Sequence, residues 1–157
     1  MTRFEARNTS NDTLPVPPEP IWEVLTSPKL LAEMTPLIEG ITEVDATHWR
    51  WELASIGGLG TKVAPCFTVR MDFEEAERID FVHEPPPGHK ERAGADGLYT
   101  LTPVEGGTHL AVDMTVHVDL PLPAMSRPAV TRVMDATMAR MGDRFAQNLC
   151  RHLGIAR

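Results

Sequence analysis

The sequence predicts an α+β fold: a bent antiparallel sheet of about six to seven strands wrapped around a long C-terminal helix, with two short helices after the first strand. Three observations predict it. From residue 40 to residue 122 nearly every segment alternates apolar and polar side chains, the period of a half-buried strand. From residue 126 the period changes to three and four, which is that of an amphipathic helix. Proline clusters at "LPVPPEP", "EPPPG" and "LPLP" divide the 157 residues where turns and helix starts belong.

The first twelve residues or so are polar and extended, with an edge strand expected over residues 3 to 12. "PPEPIWEVLTSP" then sets up a short helix, because proline suits a first helical turn and Ile21, Trp22 and Leu25 form one apolar face. Ser27 and Pro28 end it and start a second short helix, "PKLLAEMT", which Pro36 closes. Strands follow in "ITEVDAT", "HWRWELAS", "TKVAPCFTVRMDF", "RIDFVHE", "GLYTLTPV" and "THLAVDMTVHVDL". The last keeps strict alternation through Leu110, Val112, Met114, Val116, Val118 and Leu120. On that parity Thr115, His117 and Asp119 face away from the apolar side and are expected in solvent. Finally Ser126, as N-cap, and Pro128 open a helix to about residue 153, whose stripe is Val130, Met134, Met138, Met141, Phe145, Leu149 and Leu153. At 1.5 Å per residue it runs roughly 40 Å, enough to cross a sheet and bury that stripe against it.

"SIGGLGTKV", residues 55 to 63, is the one stretch resembling a phosphate loop. A phosphate loop needs Lys before Ser or Thr and a helix after it. Here Thr61 precedes Lys62 and a strand follows, so the glycines Gly57, Gly58 and Gly60 are read as the turn of a hairpin. No nucleotide cofactor is expected.

Composition sets further bounds. A chain of this length forms a single domain over residues 1–157, and 42% hydrophobic with 24% charged residues is an ordinary globular composition. No apolar run reaches the roughly 20 residues of a membrane helix, and the polar start lacks the apolar core of a signal peptide; a cytoplasmic protein is expected. Cys66 and Cys150 are too far apart for a CxxC pattern and read as free thiols. Residues 127–157 carry six arginines against two aspartates, a local +4, which leaves −11 on the first 126 residues of a chain whose net charge is −7. An acidic body argues against nucleic acid as a partner. The basic tail reads as a solvated helix face.

"VPPEPIWEVLTSPKLLAEMTP" (16 to 36), "GLYTLTPVEGGTHL" (97 to 110), "DLPLP" and the terminal helix, in that order, resemble the START-like, or SRPBCC, superfamily. Its helix-grip fold serves plant pathogenesis-related allergens, lipid-transfer domains and polyketide cyclases. The resemblance covers almost the whole chain and rests on turn and packing signals without a catalytic signature. It implies an internal cavity between sheet and helix for a small hydrophobic or amphipathic ligand such as a lipid, quinone or polyketide, and no cofactor.

Wall residues for such a cavity are Trp49, Trp51, Phe67, Val69, Met71, Phe81 and Leu101 from the strands, and Met134, Met138, Met141 and Phe145 from the helix. Any core demands apolar residues at these periods, so their placement decides between wall and filling. His83 and Tyr99 share the inward parity and are the polar candidates, as hydrogen-bonding groups of a carrier or proton carriers of a cyclase/dehydratase-like enzyme. Asn8, Ser10 and Asp12 are candidates for the cavity floor. "HEPPPGH" (83 to 89) is no zinc motif, since HExxH needs a helix and three prolines forbid one. Two further readings stay open: an enzyme of that kind, and a partner-binding regulatory module with a filled core. The oligomeric state is open between monomer and homodimer.

Overall fold

The computed structural model describes residues 1–58 and 61–155. The chain runs β1 (Thr2–Leu14), α1 (Pro18–Leu25), α2 (Pro28–Met34), β2 (Ile38–Glu43), β3 (His48–Leu53), β4 (Ile56–Gly58), β5 (Thr61–Val63), β6 (Cys66–Glu74), β7 (Arg78–His83), β8 (Ala93–Val104), β9 (Gly107–Leu120) and α3 (Arg127–Leu153). Seven strands form one antiparallel sheet in the order β1-β9-β8-β7-β6-β3-β2, and β4 and β5 pair separately. This is the predicted α+β arrangement, two short helices and long terminal helix included.

The polar opening segment becomes a strand because β9 gives it a partner along its whole length, from Thr2↔Leu120 to Leu14↔Thr108. Phe4, Ala6 and Leu14 supply buried anchors on one face. On the other, Arg7 meets Asp113 at 2.7 Å and Arg3 meets Asp119 at 3.3 Å, cross-strand pairs that favour this register. Helix α1 buries Ile21, Trp22, Val24 and Leu25 and has proline in its first turn. It stops where the Thr26 hydroxyl donates to the Trp22 carbonyl at 2.7 Å. Helix α2 starts on Ser27, whose Oγ accepts from the Leu30 amide at 3.2 Å, and buries Leu31 and Met34.

Two local expectations are corrected. The segment 61–73 is not one strand: Pro65 divides it, and the glycine-rich stretch folds as its own hairpin, with Gly57↔Lys62 and Gly58↔Thr61 paired, rather than as the turn between β3 and β6. Leu59 and Gly60, the latter one of the three glycines read as a turn, lie outside the described residues. Ser126 makes no capping hydrogen bond, because Ala124–Ser126 already coil as a 3-10 turn leading into α3. At its other end α3 stops on Gly154, left-handed at φ 72°.

The sheet is strongly curved. Laid flat, seven strands at about 4.8 Å spacing would separate their edges by roughly 29 Å. Yet Leu14 of edge strand β1 and Ile38 of edge strand β2 border one cavity. Gly97 helps the curvature, since a Cβ there would fall 2.2 Å from the Asp113 carbonyl oxygen and 2.8 Å from the Phe81 ring. Helix α3 lies against β1 and is tied to the other side of the fold by Asn148, whose Nδ2 donates to the Met34 carbonyl at 2.8 Å.

Candidate functional site: the space under the long helix

Between sheet and α3 lies a cavity of about 250 Å³. It exists because small side chains face bulky ones that do not reach them. On β8 the inward positions are Ala93 and Ala95, and opposite them Met134, Met138, Met141 and Phe145 of α3 are only half-buried. Trp51 and Phe67, cross-strand partners whose rings stack 5.9 Å apart, form part of the sheet wall with Tyr99. Val112, Met114, Val116 and Val118 of β9 form another part. The border also includes Asn8, Ser10 and Asp12 of β1, with Thr35 and Thr137. Ser10 and Asp12 are exposed and Asn8 half-buried, so the polar rim is on the solvent side. The residues expected to floor the cavity stand at its edge.

Of the thirteen side chains read from the sequence as site residues, the structure brings seven to the cavity: Trp51, Phe67, Tyr99, Met134, Met138, Met141 and Phe145. Trp49, Val69, Met71, Phe81 and Leu101 do not border it. They have the predicted inward parity and are buried, but they are filling rather than wall. Trp49 belongs to a packed group under α1, where Phe73 meets Trp22 edge-on at 6.3 Å and Trp49 at 5.9 Å. Phe81 is sandwiched between Trp51 and Tyr99, at ring distances of 6.2 and 5.7 Å. Parity gives the face of a strand; it does not say which stretch of that face the helices press on.

His83 is also off the cavity border and sits instead at a polar seam where β7 ends. Its amide donates to Asp96 Oδ1 at 2.7 Å, and its Nε2 lies 2.9 Å from Glu91 Oε1. Glu91 is held in turn by the Thr68 amide at 2.8 Å and the Thr68 hydroxyl at 2.9 Å. Beside His83, ring centres 5.0 Å apart, is His117.

His117 contradicts its sequence expectation. Strand alternation puts it on the outer face, the side away from the cavity walls Val116 and Val118, but there it is 5% exposed rather than in solvent. Its cross-strand neighbour is Gly94, and the absent side chain leaves the volume that both imidazoles occupy. The run of small residues in "AGADG" was the available signal. Burial, then the nearby Arg3 and His83 charges, lower the His117 pKa, so the ring is neutral at neutral pH. Burial also pushes the Tyr99 phenol well above its ordinary value, keeping it protonated. Among the described residues, three buried side-chain polar atoms have no hydrogen-bond partner: Nε1 of Trp49, Nε1 of Trp51 and Nε2 of His117. The last two belong to residues of the cavity border.

Among the described residues no group of acidic, histidine or cysteine side chains is arranged to hold a metal ion. No helix among them is long and apolar enough to cross a membrane.

No protein-family model matches the chain, and no curated protein matches it. Solved structures do. A conserved protein from Geobacillus kaustophilus superposes with a TM-score of 0.70 at 16% identity, over 94% of this chain and 95% of that one. An aromatase/cyclase, Zhui, from a Streptomyces species gives 0.66 at 16% identity, over 94% and 93%. A START superfamily protein from Mycobacterium smegmatis gives 0.64 at 16% identity, over 91% and 93%. Identities this low speak for the backbone, and the backbone is that of the START-like helix-grip fold.

Proposed function

We propose that this protein binds a small hydrophobic or amphipathic ligand in the cavity between the sheet and α3. The observation that carries the reading is the cavity itself: a space of about 250 Å³ under the long helix, with apolar walls and a polar rim. An apolar space of this kind gains free energy from any occupant that brings apolar surface out of water. Four methionines, Met114, Met134, Met138 and Met141, suit an adaptable wall because thioether side chains are flexible and polarizable. The polar rim of Asn8, Ser10 and Asp12 favours a ligand with one polar end left near solvent. The unfilled space weighs against a module that only presents its surface to a partner protein.

Native mass spectrometry of the purified chain, followed by organic extraction, tests the reading. A discrete adduct of a few hundred daltons is expected, and Met138→Trp, which fills the space from the helix side, is expected to abolish it. An adduct retained by Met138→Trp would place the ligand elsewhere.

A second reading has one observation in its favour. Tyr99, protonated and bordering the cavity, is positioned to act on a bound chain as it would in a cyclase/dehydratase-like enzyme, and an aromatase/cyclase shares the fold. Tyr99→Phe separates the readings once a ligand is identified. An enzyme loses turnover, whereas a carrier keeps its uptake.

A further inference from the structure

Tyr99 carries into the apolar part of the cavity a hydroxyl that, among the described residues, no protein group receives. We propose that it is a recognition point for a carbonyl oxygen, so that the ligand is an uncharged apolar molecule bearing a carbonyl group. The proposal rests on the ligand-binding reading above and narrows it.

The first argument is where the side chain points. Tyr99 shares strand parity with Ala93 and Ala95, and its cross-strand neighbours are the buried Ile79 and the cavity wall Val112. On the far side of Val112 the same row ends in Ser10 of the rim. Two strand spacings, roughly 10 Å, separate Tyr99 from that rim, so it meets the buried part of a ligand rather than its solvent end. The second argument is the unspent hydrogen bond. The hydroxyl is unpartnered among the described residues, yet it is not one of the enclosed polar atoms, and at 4% exposure the open space it meets is the cavity. A water would need two or more polar partners to stay there, and the side chains of Ile79, Phe81 and Val112 supply none. An unpartnered hydroxyl in an apolar site is costly, and a partner from the cavity's occupant removes the cost.

The third argument selects the chemistry. Burial keeps the phenol protonated, so it brings one proton to the site. A carbonyl oxygen accepts that proton and the count closes. A ligand hydroxyl or amine brings protons of its own, so that after one hydrogen bond a donor is left facing apolar side chains. A carboxylate would bring a full charge to a border where, among the described residues, no lysine or arginine stands to balance it.

The test compares acetylnaphthalene with ethylnaphthalene, substituted at the same ring position, by equilibrium titration of the wild-type chain and of Tyr99→Phe. The matched hydrocarbon cancels the general affinity for apolar surface, and its continued uptake by the variant shows that the cavity is intact. The ratio of acetylnaphthalene to ethylnaphthalene affinity is expected to fall about tenfold in the variant. As a readout independent of the variant's folding, the infrared carbonyl stretch of acetylnaphthalene bound to the wild type should lie below its position in a hydrocarbon solvent, because an accepted hydrogen bond weakens the carbonyl bond. Where the variant loses ethylnaphthalene as well, that stretch decides alone. If both compounds bind the wild type, and either the ratio is unchanged in an intact variant or the stretch keeps its hydrocarbon-solvent position, the carbonyl assignment is overturned and the cavity reading stands. If neither compound binds the wild type, both fall.

Discussion

Two histidines make opposite statements about stability. His48 lies between Glu84 and Asp45, and their hydrogen bonds raise its pKa above 6.5. Its favourable pairing is fully present below that value and is lost as pH rises through the raised one. His117 is the reverse: burial lowers its pKa, the unfolded chain takes up the proton first, and the folded state loses stability as pH falls through 6.5. Urea unfolding as a function of pH should therefore show a shallower acid limb in His117→Phe and a shallower alkaline limb in His48→Asn. Unchanged limbs would remove these assignments. Gly94→Ala is the sharper packing test. A methyl pressed against two imidazoles, the buried His117 and the half-buried His83 anchored to Glu91, is expected to destabilise by about 1–3 kcal/mol. None of this was legible at residue scale in the sequence. Alternation gives the face of His117 correctly but not its burial, which comes from a glycine on the neighbouring strand and shows only in the pairing of β8 with β9.

Elements were far more legible than individual residues. The stripe of α3 was readable because a period of three and four over 27 residues has no other regular explanation, and α1 and α2 were readable because proline and serine mark their starts. What the pattern did not carry was the distinction between wall and filling. Met138 and Phe81 both follow their element's apolar period, but only Met138 borders the void. That difference gives a prediction. Phe81→Ala should destabilise the fold by about 3–5 kcal/mol, read as a lower unfolding midpoint in denaturant. Met138→Ala, at a half-buried position beside empty space, should cost far less. Equal losses would mean that the helix is packed on the sheet as tightly as the core around Phe81. The glycine-rich stretch forms a hairpin as expected, but a separate one, because the ladder breaks at Pro65, which lacks an amide hydrogen, where alternation runs on.

At the scale of the whole molecule, curvature is what turns the elements into a site. The two edge strands reach the same cavity only because the sheet bends through them, and α3 then closes over the space without filling it. Fold class and element order followed from periodicity, since they depend on which faces must be buried. The void followed from nothing local, since it depends on the mismatch of Ala93 and Ala95 against half-buried helix side chains. We propose above that this void takes up a hydrophobic ligand. The most direct measurement is equilibrium titration of wild type and Met138→Trp with methylnaphthalene. One saturable site is expected in the wild type, weakened at least about tenfold by the filled cavity, since a buried two-ring ligand depends on the apolar surface it covers. No binding to the wild type, or equal binding to both proteins, would contradict it.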